Sequence, residues 1–316
     1  MASLNSHSKD LSNFWKGEIL WDKPMSQYST FKVGGPAQAI IPVTNIEDLK
    51  RLIHWLKEND INWWIVGRGS NILVPDHGLA GVTIVLDGKF NSIETLAAQP
   101  GQREIDALIR VGGGCLLSKV VNYCITNSLS GLEFAVGIPG SIGGAIVMNA
   151  GAWGYEIGNL LDSATLMDNH GEVFTEERKN LAFAYRGWGM EQNTVLLYAN
   201  LILKIDSKEE IKAACSRYHE LRKKKQPLTE PSAGSFFKNP PEQSAGKLID
   251  QAGLKGHSIG GAKISEKHAN FIVNTGTASA TDILKLMKVV RSEVNKRFGI
   301  TLEPEVRILG KEGERV

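Results

Sequence analysis

In the segment Trp63-Trp-Ile-Val-Gly-Arg-Gly-Ser-Asn71, a short apolar strand runs directly into a glycine-rich turn. Two glycines allow successive backbone N–H groups to point the same way, which makes a concave site for an anion. Ser70 and Asn71 add side-chain donors. The third glycine of a Rossmann fingerprint is missing, since Ile72 stands there, and no P-loop Lys-Ser/Thr pair follows. Alone, the turn does not distinguish a phosphate site from an ordinary glycine turn.

A second glycine-rich loop, Gly137-Ile-Pro-Gly-Ser-Ile-Gly-Gly144, lies in the uncharged stretch from Phe134 to Gly154. The glycines of this stretch and its proline argue against a membrane-spanning helix. Ala145-Ile-Val-Met-Asn149 is predicted to begin a buried helix. Two such loops favour a dinucleotide between two lobes, and tight helix packing through Gly143 and Gly144 is a compatible alternative.

Hydrophobic periodicity predicts two α/β lobes around these loops. Thr44 and Glu47 have the spacing of a capping box that starts a helix, and Ser207 and Glu210 have the same spacing. The predicted strands are 39–42, 63–66, 82–86, 107–111, a hairpin over 164–174, and 195–203. The predicted helices are one that follows Thr44, 116–129, and one from Ser207 to about Leu221.

A third unit follows the run Arg222-Lys-Lys-Lys225, which is typical of a solvated helix end. Its predicted elements are a helix over 245–252, a strand over 269–273, a helix over 281–298 that Gly299 ends, and a strand over 302–309. We therefore predict an N-terminal extension (1–20), a module over 21–222 with lobes of about 21–92 and 93–222, and a C-terminal domain over 223–316.

Two polar segments of this third unit carry chemistry. Ser232-Ala-Gly-Ser-Phe-Phe-Lys-Asn-Pro240 holds a hydroxyl, a cation and an amide in a backbone that prolines restrain. Leu302-Glu-Pro-Glu-Val-Arg307 adds two carboxylates and a guanidinium. Such segments suit a site that orients a small anionic substrate.

Composition excludes several classes of function. A net charge of +2 is too small to indicate a nucleic-acid surface. Cys115, Cys124 and Cys215 lack metal-ligand spacing and fit reduced thiols in cytosol. Met1 to Leu20 mixes charges and has no long apolar core, unlike a signal peptide. We therefore expect a cytoplasmic protein without a metal, a nucleic-acid partner or membrane insertion.

A set of motifs follows one order along the chain: Thr30-Phe-Lys-Val-Gly-Gly35, Gly67–Asn71, Gly137–Gly144, Asn149-Ala-Gly151, Tyr185-Arg186, Gly234–Pro240, His268-Ala-Asn270 and Leu302–Arg307. Together they resemble the UDP-N-acetylenolpyruvoylglucosamine reductase family, in its shorter variant, over about Pro24 to Leu309. The glycine loops are shared with a wider flavoprotein superfamily, whereas the segments of Ser235 and Glu305 are specific to this reductase.

The resemblance implies an α+β fold, in which a two-lobed FAD-binding module of the PCMH/VAO type precedes a C-terminal α+β substrate-binding domain. It implies noncovalent FAD that NADPH reduces. Hydride would reach the enolpyruvyl methylene carbon of UDP-GlcNAc-enolpyruvate and give UDP-N-acetylmuramate for peptidoglycan synthesis.

The family's functional residues carry over onto matching positions of this chain. Ser235 would donate a proton to the neighbouring carbon, while Glu305 and Arg186 would bind the carboxylate and stabilise the enolic intermediate. The residues implied to contact substrate are Tyr185, Lys225, Asn239 and His268. The residues implied to hold FAD are Gly67, Arg68, Gly69, Ser70, Asn71, Ile72, Gly137, Pro139, Gly140, Ser141, Gly143, Gly144, Asn149, Ala150 and Gly151.

The chemistry agrees with these roles. Hydride addition to an enol ether carboxylate builds negative charge toward the carboxyl oxygens, which Arg186 can bind with two parallel hydrogen bonds. Glu305 would help if protonated or placed as a proton relay. A hydroxyl held against an enolate-like carbon, such as that of Ser235, can deliver a proton.

The chain departs from the family at Trp188, where a serine is usual, which raises a question about the substrate contacts around Arg186. Trp153 or Tyr155 lies where the shorter variant often offers an aromatic ring to the substrate. One alternative is another flavin oxidoreductase, acting on a hydroxy acid or alcohol, although the first loop lacks a histidine for covalent FAD. A second is a nucleotide-binding protein without catalysis, which Ser235 and Glu305 argue against.

Overall fold

The computed structural model of the chain describes residues 4–96, 107–191 and 193–310. Its internal contacts divide the chain into two compact units. Unit 1 comprises Met1–Ile19, Ile40–Gly67 and Val82–Leu221; unit 2 comprises Leu20–Ala39, Arg68–Gly81 and Arg222–Val316. Unit 2 therefore combines two segments from the N-terminal part of the chain with the C-terminal residues. The domain boundaries drawn from the sequence stay a prediction.

The helices and strands are numbered along the chain. The helices are α1 (Leu4–Phe14), α2 (Ile46–Glu58), α3 (Leu117–Thr126), α4 (Ile142–Val147), α5 (Lys208–Lys225), α6 (Ala245–Gln251) and α7 (Ala280–Phe298). The strands are β1 (Leu20–Pro24), β2 (Pro36–Val43), β3 (Trp63–Ile65), β4 (Ile72–Leu73), β5 (Leu79–Leu86), β6 (Ile93–Leu96), β7 (Ala107–Gly112), β8 (Leu129–Ser130), β9 (Gly151–Ala152), β10 (Tyr155–Glu156), β11 (Leu161–Met167), β12 (Val173–Glu177), β13 (Val195–Ile205), β14 (Ser232–Ser235), β15 (Ser258–Ile259), β16 (Ala262–Ile264), β17 (Phe271–Asn274) and β18 (Arg307–Ile308).

Unit 1 is built on an antiparallel sheet with the order β12-β11-β13-β7-β6, and β8 pairs with the end of β13. The alternating apolar residues of β13 fill one buried core together with Ile142 and Ile146 of α4. In the same unit β3 pairs in parallel with β5, which is also a neighbour of β2. The predicted hairpin over 164–174 is confirmed as β11 and β12.

The N-terminal extension contributes α1 to unit 1. Leu4 and Leu11 of this helix are buried, and Phe14 stacks on Trp55 of α2 with ring centroids 5.4 Å apart. The apolar spacing of α2 buries its core-facing stripe, as the sequence predicts.

Four helices, α2, α3, α4 and α5, differ from prediction in a cap or in an end by more than one residue. Asn45 caps α2 instead of Thr44: its side chain accepts from the backbone of Asp48 at 2.9 Å, and asparagine is the stronger cap. Helix α3 ends at Thr126, because Leu129–Ser130 pairs with β13. Helix α4 begins before Ala145, since Ser141 caps it. Helix α5 continues through Lys225.

Unit 2 contains an antiparallel sheet with the order β14-β17-β16-β15, on which α7 packs. Helix α7 matches its prediction closely, because Ser279 and Asp282 form a capping box and Gly299 ends the helix with φ of 69°. The predicted strand over 302–309 is wrong for most of its length. Only β18 forms, in parallel with β4, because Pro304 cannot donate to a strand ladder.

Among the helices of the described ranges, none combines the length and apolar composition that crossing a membrane requires.

Asp76 fixes the start of α7 from a loop far away in sequence. Its carboxylate accepts from the backbone N–H of Ala280 at 2.7 Å, from that of Thr281 at 2.9 Å and from the Thr281 hydroxyl at 2.6 Å. Burial opposes ionisation, but the hydrogen bonds from Thr281 and Ala280 outweigh it, so the pKa of Asp76 is lowered. The ionised carboxylate therefore stabilises the fold at the positive end of the helix dipole.

We expect Asp76→Ala to lower the free energy of unfolding by about 1–2 kcal/mol at pH 7, as for a lost helix cap. A carboxyl whose pKa falls on folding stabilises above its unfolded pKa of about 3.9, and the contribution is lost as pH falls through the folded pKa. The difference in the free energy of unfolding between wild type and variant should therefore be constant from pH 7 to pH 5 and shrink near pH 3. Urea denaturation measures it, with Thr281→Ser as the matched control that keeps all three bonds. An unchanged difference at pH 3 would contradict the prediction.

Candidate active site

The two predicted phosphate loops meet in unit 1. Gly67 lies two residues after the end of β3, and a side-chain carbon at this position would collide with the hydroxyl of Ser141. Ser141 belongs to the second loop and caps α4 by accepting from the N–H of Gly144 at 3.3 Å. The first residue of one loop therefore lies against the middle of the other.

The remainder of the first loop, Arg68 to Asn71, belongs to unit 2. Gly69 has φ of 60°, and a Cβ there would collide with the carbonyl oxygen of Tyr28. The carbonyl of Gly69 in turn accepts from the N–H of Thr30 at 3.1 Å. Glycine at this position is therefore required by the chain's own backbone, whatever ligand the loop binds.

Asn71 is bonded to the segment that carries Glu305. Its Nδ2 donates to the carbonyl of Glu305 at 3.1 Å, and its carbonyl accepts from the N–H of Arg307 at 3.0 Å. Ile72, the next residue, begins β4, which pairs with β18 at this position. The Asn71 side chain, a predicted ligand donor, thus holds the chain around Glu305.

The second loop divides into packing glycines and a glycine with space beside it. The N–H of Gly143 donates to the carbonyl of Gly113 at 2.8 Å, and a Cβ on Gly143 would come within 2.8 Å of that oxygen. A Cβ on Gly144 would meet only the Ser141 hydroxyl, at 3.7 Å. The room beside Gly144 suits the close approach of a planar ring system, so the loop fits a flavin. Upstream in the same loop, Pro139 lies between the left-handed residues Gly137 and Gly140, with φ of 75° and 145°.

Tyr185 and Arg186 occupy the tip of a tight turn in unit 1. Ala184 and Gly187 close the turn through two backbone hydrogen bonds, of 3.0 and 3.2 Å. Arg186 has φ of 61°, which is uncommon outside glycine, and its guanidinium lies 4.7 Å from the centre of the Tyr185 ring. Strained backbone of this kind is concentrated at functional sites.

Trp188 is a core residue of unit 1. Its exposed fraction is 6%, and it belongs to the same buried cluster as Leu181 and Leu196. The departure from the family at this position therefore changes the packing under the turn and adds no ring at its tip.

The segment after α4 carries Asn149, Ala150 and Gly151. Asn149 is almost fully buried, and Gly151 begins the β9–β10 hairpin. Of the two aromatic residues in this hairpin, Trp153 stacks on Tyr218, whereas 56% of Tyr155 is exposed. Tyr155 is therefore the ring that this hairpin offers to solvent.

Ser235 and Glu305 come together in unit 2. Gly234, with φ of 77°, turns the chain into Ser235, which pairs with Phe271. The next carbonyl, of Phe236, accepts from the N–H of Glu305 at 2.8 Å. The backbones of the predicted proton donor and the predicted carboxylate partner thus lie side by side.

Asn270 locks this arrangement, a role that sequence reasoning missed. Its side chain accepts from the N–H of Phe237 at 2.9 Å and donates to the carbonyl of Phe237 at 2.8 Å. The Asn270 carbonyl also accepts from the N–H of Phe236 at 2.7 Å. The asparagine of the His268-Ala-Asn270 motif was the sequence feature that could have indicated this role. A side-chain amide can supply the same donor and acceptor that the backbone of a neighbouring strand would provide.

The other predicted substrate residues are also in unit 2. The Nδ1 of His268 accepts from the N–H of Asn270 at 3.2 Å, which leaves Nε2 as the donor. Burial lowers the pKa of His268, and the positive charges of Lys255 and Lys225 lower it further, so the ring is neutral at pH 7. Asn239 is exposed, and its side chain accepts from the N–H of Ala245 at 3.0 Å.

The basic run at the end of α5 is only partly solvated. The expectation of a solvated helix end is wrong for Arg222, which is 6% exposed and donates to the side chain of Gln226 at 3.1 Å. Lys225 is the last residue of the helix.

Two protein-family models match the chain. One, described as the C-terminal domain of UDP-N-acetylenolpyruvoylglucosamine reductase, matches residues 226–309, and an FAD binding domain matches residues 37–176.

Curated relatives and a solved structure agree with these matches. The chain is 42% identical over 297 residues to UDP-N-acetylenolpyruvoylglucosamine reductase of Caldicellulosiruptor saccharolyticus, with 93% of each chain covered. It is 42% identical over 315 residues to the reductase of Clostridium novyi, with 99% of each covered. The crystal structure of UDP-N-acetylenolpyruvylglucosamine reductase from Thermus caldophilus has a TM-score of 0.77 and 35% identity, and covers 93% of this chain and 98% of its own.

Proposed function

The chain belongs to the UDP-N-acetylenolpyruvoylglucosamine reductase family, and we propose that it reduces UDP-GlcNAc-enolpyruvate to UDP-N-acetylmuramate in the cytoplasm, with NADPH as hydride donor. It is an FAD-dependent oxidoreductase of peptidoglycan precursor synthesis, with the α+β fold and FAD-binding module that the sequence predicts. The substrates proposed here are small molecules.

The pairing of the Ser235 and Glu305 segments is the observation that carries this proposal. The two residues are far apart in sequence, yet Phe236 and Glu305 are joined by a backbone hydrogen bond of 2.8 Å. Reduction of an enolpyruvyl double bond needs a proton at the carbon next to the one that receives hydride. A hydroxyl and a carboxyl group on adjacent chains suit delivery of that proton and binding of a carboxylate.

FAD, when bound, supplies the two-electron hydride chemistry that amino-acid side chains lack. The space beside Gly144 and the meeting of Gly67 with Ser141 support a cofactor site in the two loops. The residues that we propose to hold FAD are Gly67, Arg68, Gly69, Ser70, Asn71, Ile72, Gly137, Pro139, Gly140, Ser141, Gly143, Gly144, Ala150 and Gly151.

On the substrate side, Arg186 would bind the enolpyruvyl carboxylate and stabilise the charge that develops on it. Ser235 would hold the proton that the substrate carbon receives, with Glu305 beside it. The neutral His268 would donate from Nε2, and Lys225 would bring a positive charge to the anionic nucleotide. Tyr185 and Asn239 complete the proposed substrate contacts.

We expect the purified protein to show a flavin absorption band that NADPH bleaches without oxygen and that UDP-GlcNAc-enolpyruvate then restores. UDP-GlcNAc, which lacks the double bond, is the matched control and should restore nothing. Acid precipitation should release all the colour into the supernatant, because the cofactor is noncovalent. A band that a hydroxy acid bleaches but NADPH does not would contradict the proposal in favour of another flavin oxidoreductase. A flavin band that NADPH does not change, with no oxidation of NADPH, would contradict the proposal in favour of a nucleotide-binding protein without catalysis.

A further inference from the structure

Asn149 connects the second glycine-rich loop to two other segments of unit 1. Its Nδ2 donates to the Glu156 carboxylate at 2.8 Å and to the carbonyl of Ala184 at 3.1 Å. Its Oδ1 accepts from the N–H of Gly158 at 3.1 Å. Both amide hydrogens and the amide oxygen are therefore engaged within the chain, in a residue that is 2% exposed.

The bond to Ala184 acts directly on the turn that presents Arg186. The carbonyl of Ala184 accepts both from the N–H of Gly187, which closes the turn, and from Asn149. Arg186 has φ of 61°, a strained conformation that persists only where the surroundings fix it. Asn149 supplies one of the bonds that fix it.

The surroundings of Asn149 leave it little freedom. A Cβ on Gly158 would come within 2.8 Å of the Asn149 amide oxygen and 2.7 Å of the Phe183 ring. Arg178 donates to the carbonyl of Gly158 at 2.7 Å and to that of Leu181 at 3.1 Å, which ties the same segments together a second time. The amide is therefore held in one orientation, with Glu156 as the acceptor that sets which hydrogen faces Ala184.

We propose that Asn149, oriented by Glu156, is a positioning residue for Arg186. Its side chain does not bind FAD; it fixes the turn that presents Arg186 to the substrate carboxylate. The inference rests on the proposed function, in which Arg186 binds that carboxylate. Without the bond to Ala184, the turn would populate other backbone conformations, and the guanidinium would have to be ordered when substrate binds. A small displacement of a positioning group can cost about 10²-fold in rate.

Asn149→Gly is the main test, because Asn149 itself has φ of 42° and glycine accepts that conformation without a steric penalty. We expect the variant to keep the wild-type ratio of FAD to protein and the wild-type rate of flavin reduction by NADPH. The rate of reoxidation by UDP-GlcNAc-enolpyruvate should fall about 10- to 100-fold. Stopped-flow absorbance measures both half-reactions, and the flavin spectrum after acid release measures cofactor content.

Two variants at Glu156 sharpen the result. Glu156→Gln keeps an acceptor for Asn149 and should be close to wild type. The double variant Asn149→Asp with Glu156→Gln restores a hydrogen bond between the two side chains with donor and acceptor exchanged, but the carboxylate introduced at position 149 cannot donate to Ala184. It should therefore retain FAD and still be slow in reoxidation, even if Asn149→Gly fails to fold.

Loss of FAD, or equal slowing of both half-reactions, in the double variant would overturn the inference and make Asn149 part of the cofactor site or the scaffold. Wild-type reoxidation in that variant, while Arg186→Lys is slow, would overturn it as well. A wild-type protein that oxidises NADPH but is not reoxidised by the enolpyruvyl substrate would instead overturn the proposed function, on which the inference depends.

Discussion

Ser235→Ala is expected to leave the reduction of bound FAD by NADPH at its native rate and to slow reoxidation by UDP-GlcNAc-enolpyruvate about 10²–10⁴-fold, the usual loss for a positioned acid. Reduction by NADPH needs no proton from this hydroxyl, whereas protonation of the substrate carbon does. Stopped-flow absorbance without oxygen separates the two half-reactions.

The structure makes this a sharp test of chemistry, because the backbone around Ser235 is held by other residues. Phe236 and Phe237 are each 1% exposed, and Asn270 bonds both of them. Removing one oxygen from the half-buried Ser235 should therefore leave the segment in place. The left-handed conformation before it belongs to Gly234 and stays unchanged.

Ser235→Thr is the matched control, since it keeps a hydroxyl and suits a strand position. It should retain far more reoxidation activity than the alanine variant. Both substrates are expected to visit the flavin in turn, so wild-type initial rates should give parallel lines in a double-reciprocal plot. Equal slowing of both half-reactions in Ser235→Ala would mean that the serine is structural.

Local patterns predicted the elements that local interactions stabilise. The stripe of Ile283, Met287, Val290 and Val294 and the glycine at 299 placed α7 to within one residue, because periodicity and an αL cap are both contained in neighbouring residues. The hairpin of β11 and β12 was predictable for the same reason, since its turn contains Gly171 with φ of 83°.

Contacts between residues distant in sequence were not predictable. Asp76 bonds the start of α7 across 204 positions, and Asn71 bonds the Glu305 carbonyl across 234. In the sequence, Asn71 and Asn149 are polar residues beside glycine loops, a pattern that indicates ligand donors. In the structure their amides hold the segments of Glu305 and Arg186, respectively. A pattern identifies a side chain's chemistry, whereas only the fold identifies its partner.

Trp188 shows the same limit. A tryptophan beside a predicted substrate residue raised the question of a rearranged site, because sequence spacing does not say which way a side chain points. Its burial among core residues of unit 1 removes it from the tip of the turn. The tip itself, with Arg186, is therefore expected to act as the family pattern implies.

Arg186→Lys is expected to reduce turnover with UDP-GlcNAc-enolpyruvate about 10²-fold, although the positive charge is kept, because an ammonium cannot make the two parallel hydrogen bonds of a guanidinium to a carboxylate. Lysine and arginine meet the same backbone cost at φ of 61°, so the substitution changes the head group and not the turn. Reduction of FAD by NADPH should be unaffected.

The matched control is Arg51→Lys, which makes the same exchange on α2, where Arg51 lies 3.3 Å from Asp48 in an ion pair. That variant should have wild-type turnover, since exposed ion pairs contribute little. If Arg186 binds the carboxylate more strongly as charge develops, kcat of the lysine variant should fall by a larger factor than its KM rises. A rise in KM alone would limit Arg186 to ground-state binding. Near-normal turnover and KM would mean that another cation binds the carboxylate, and that the strained turn serves some other contact.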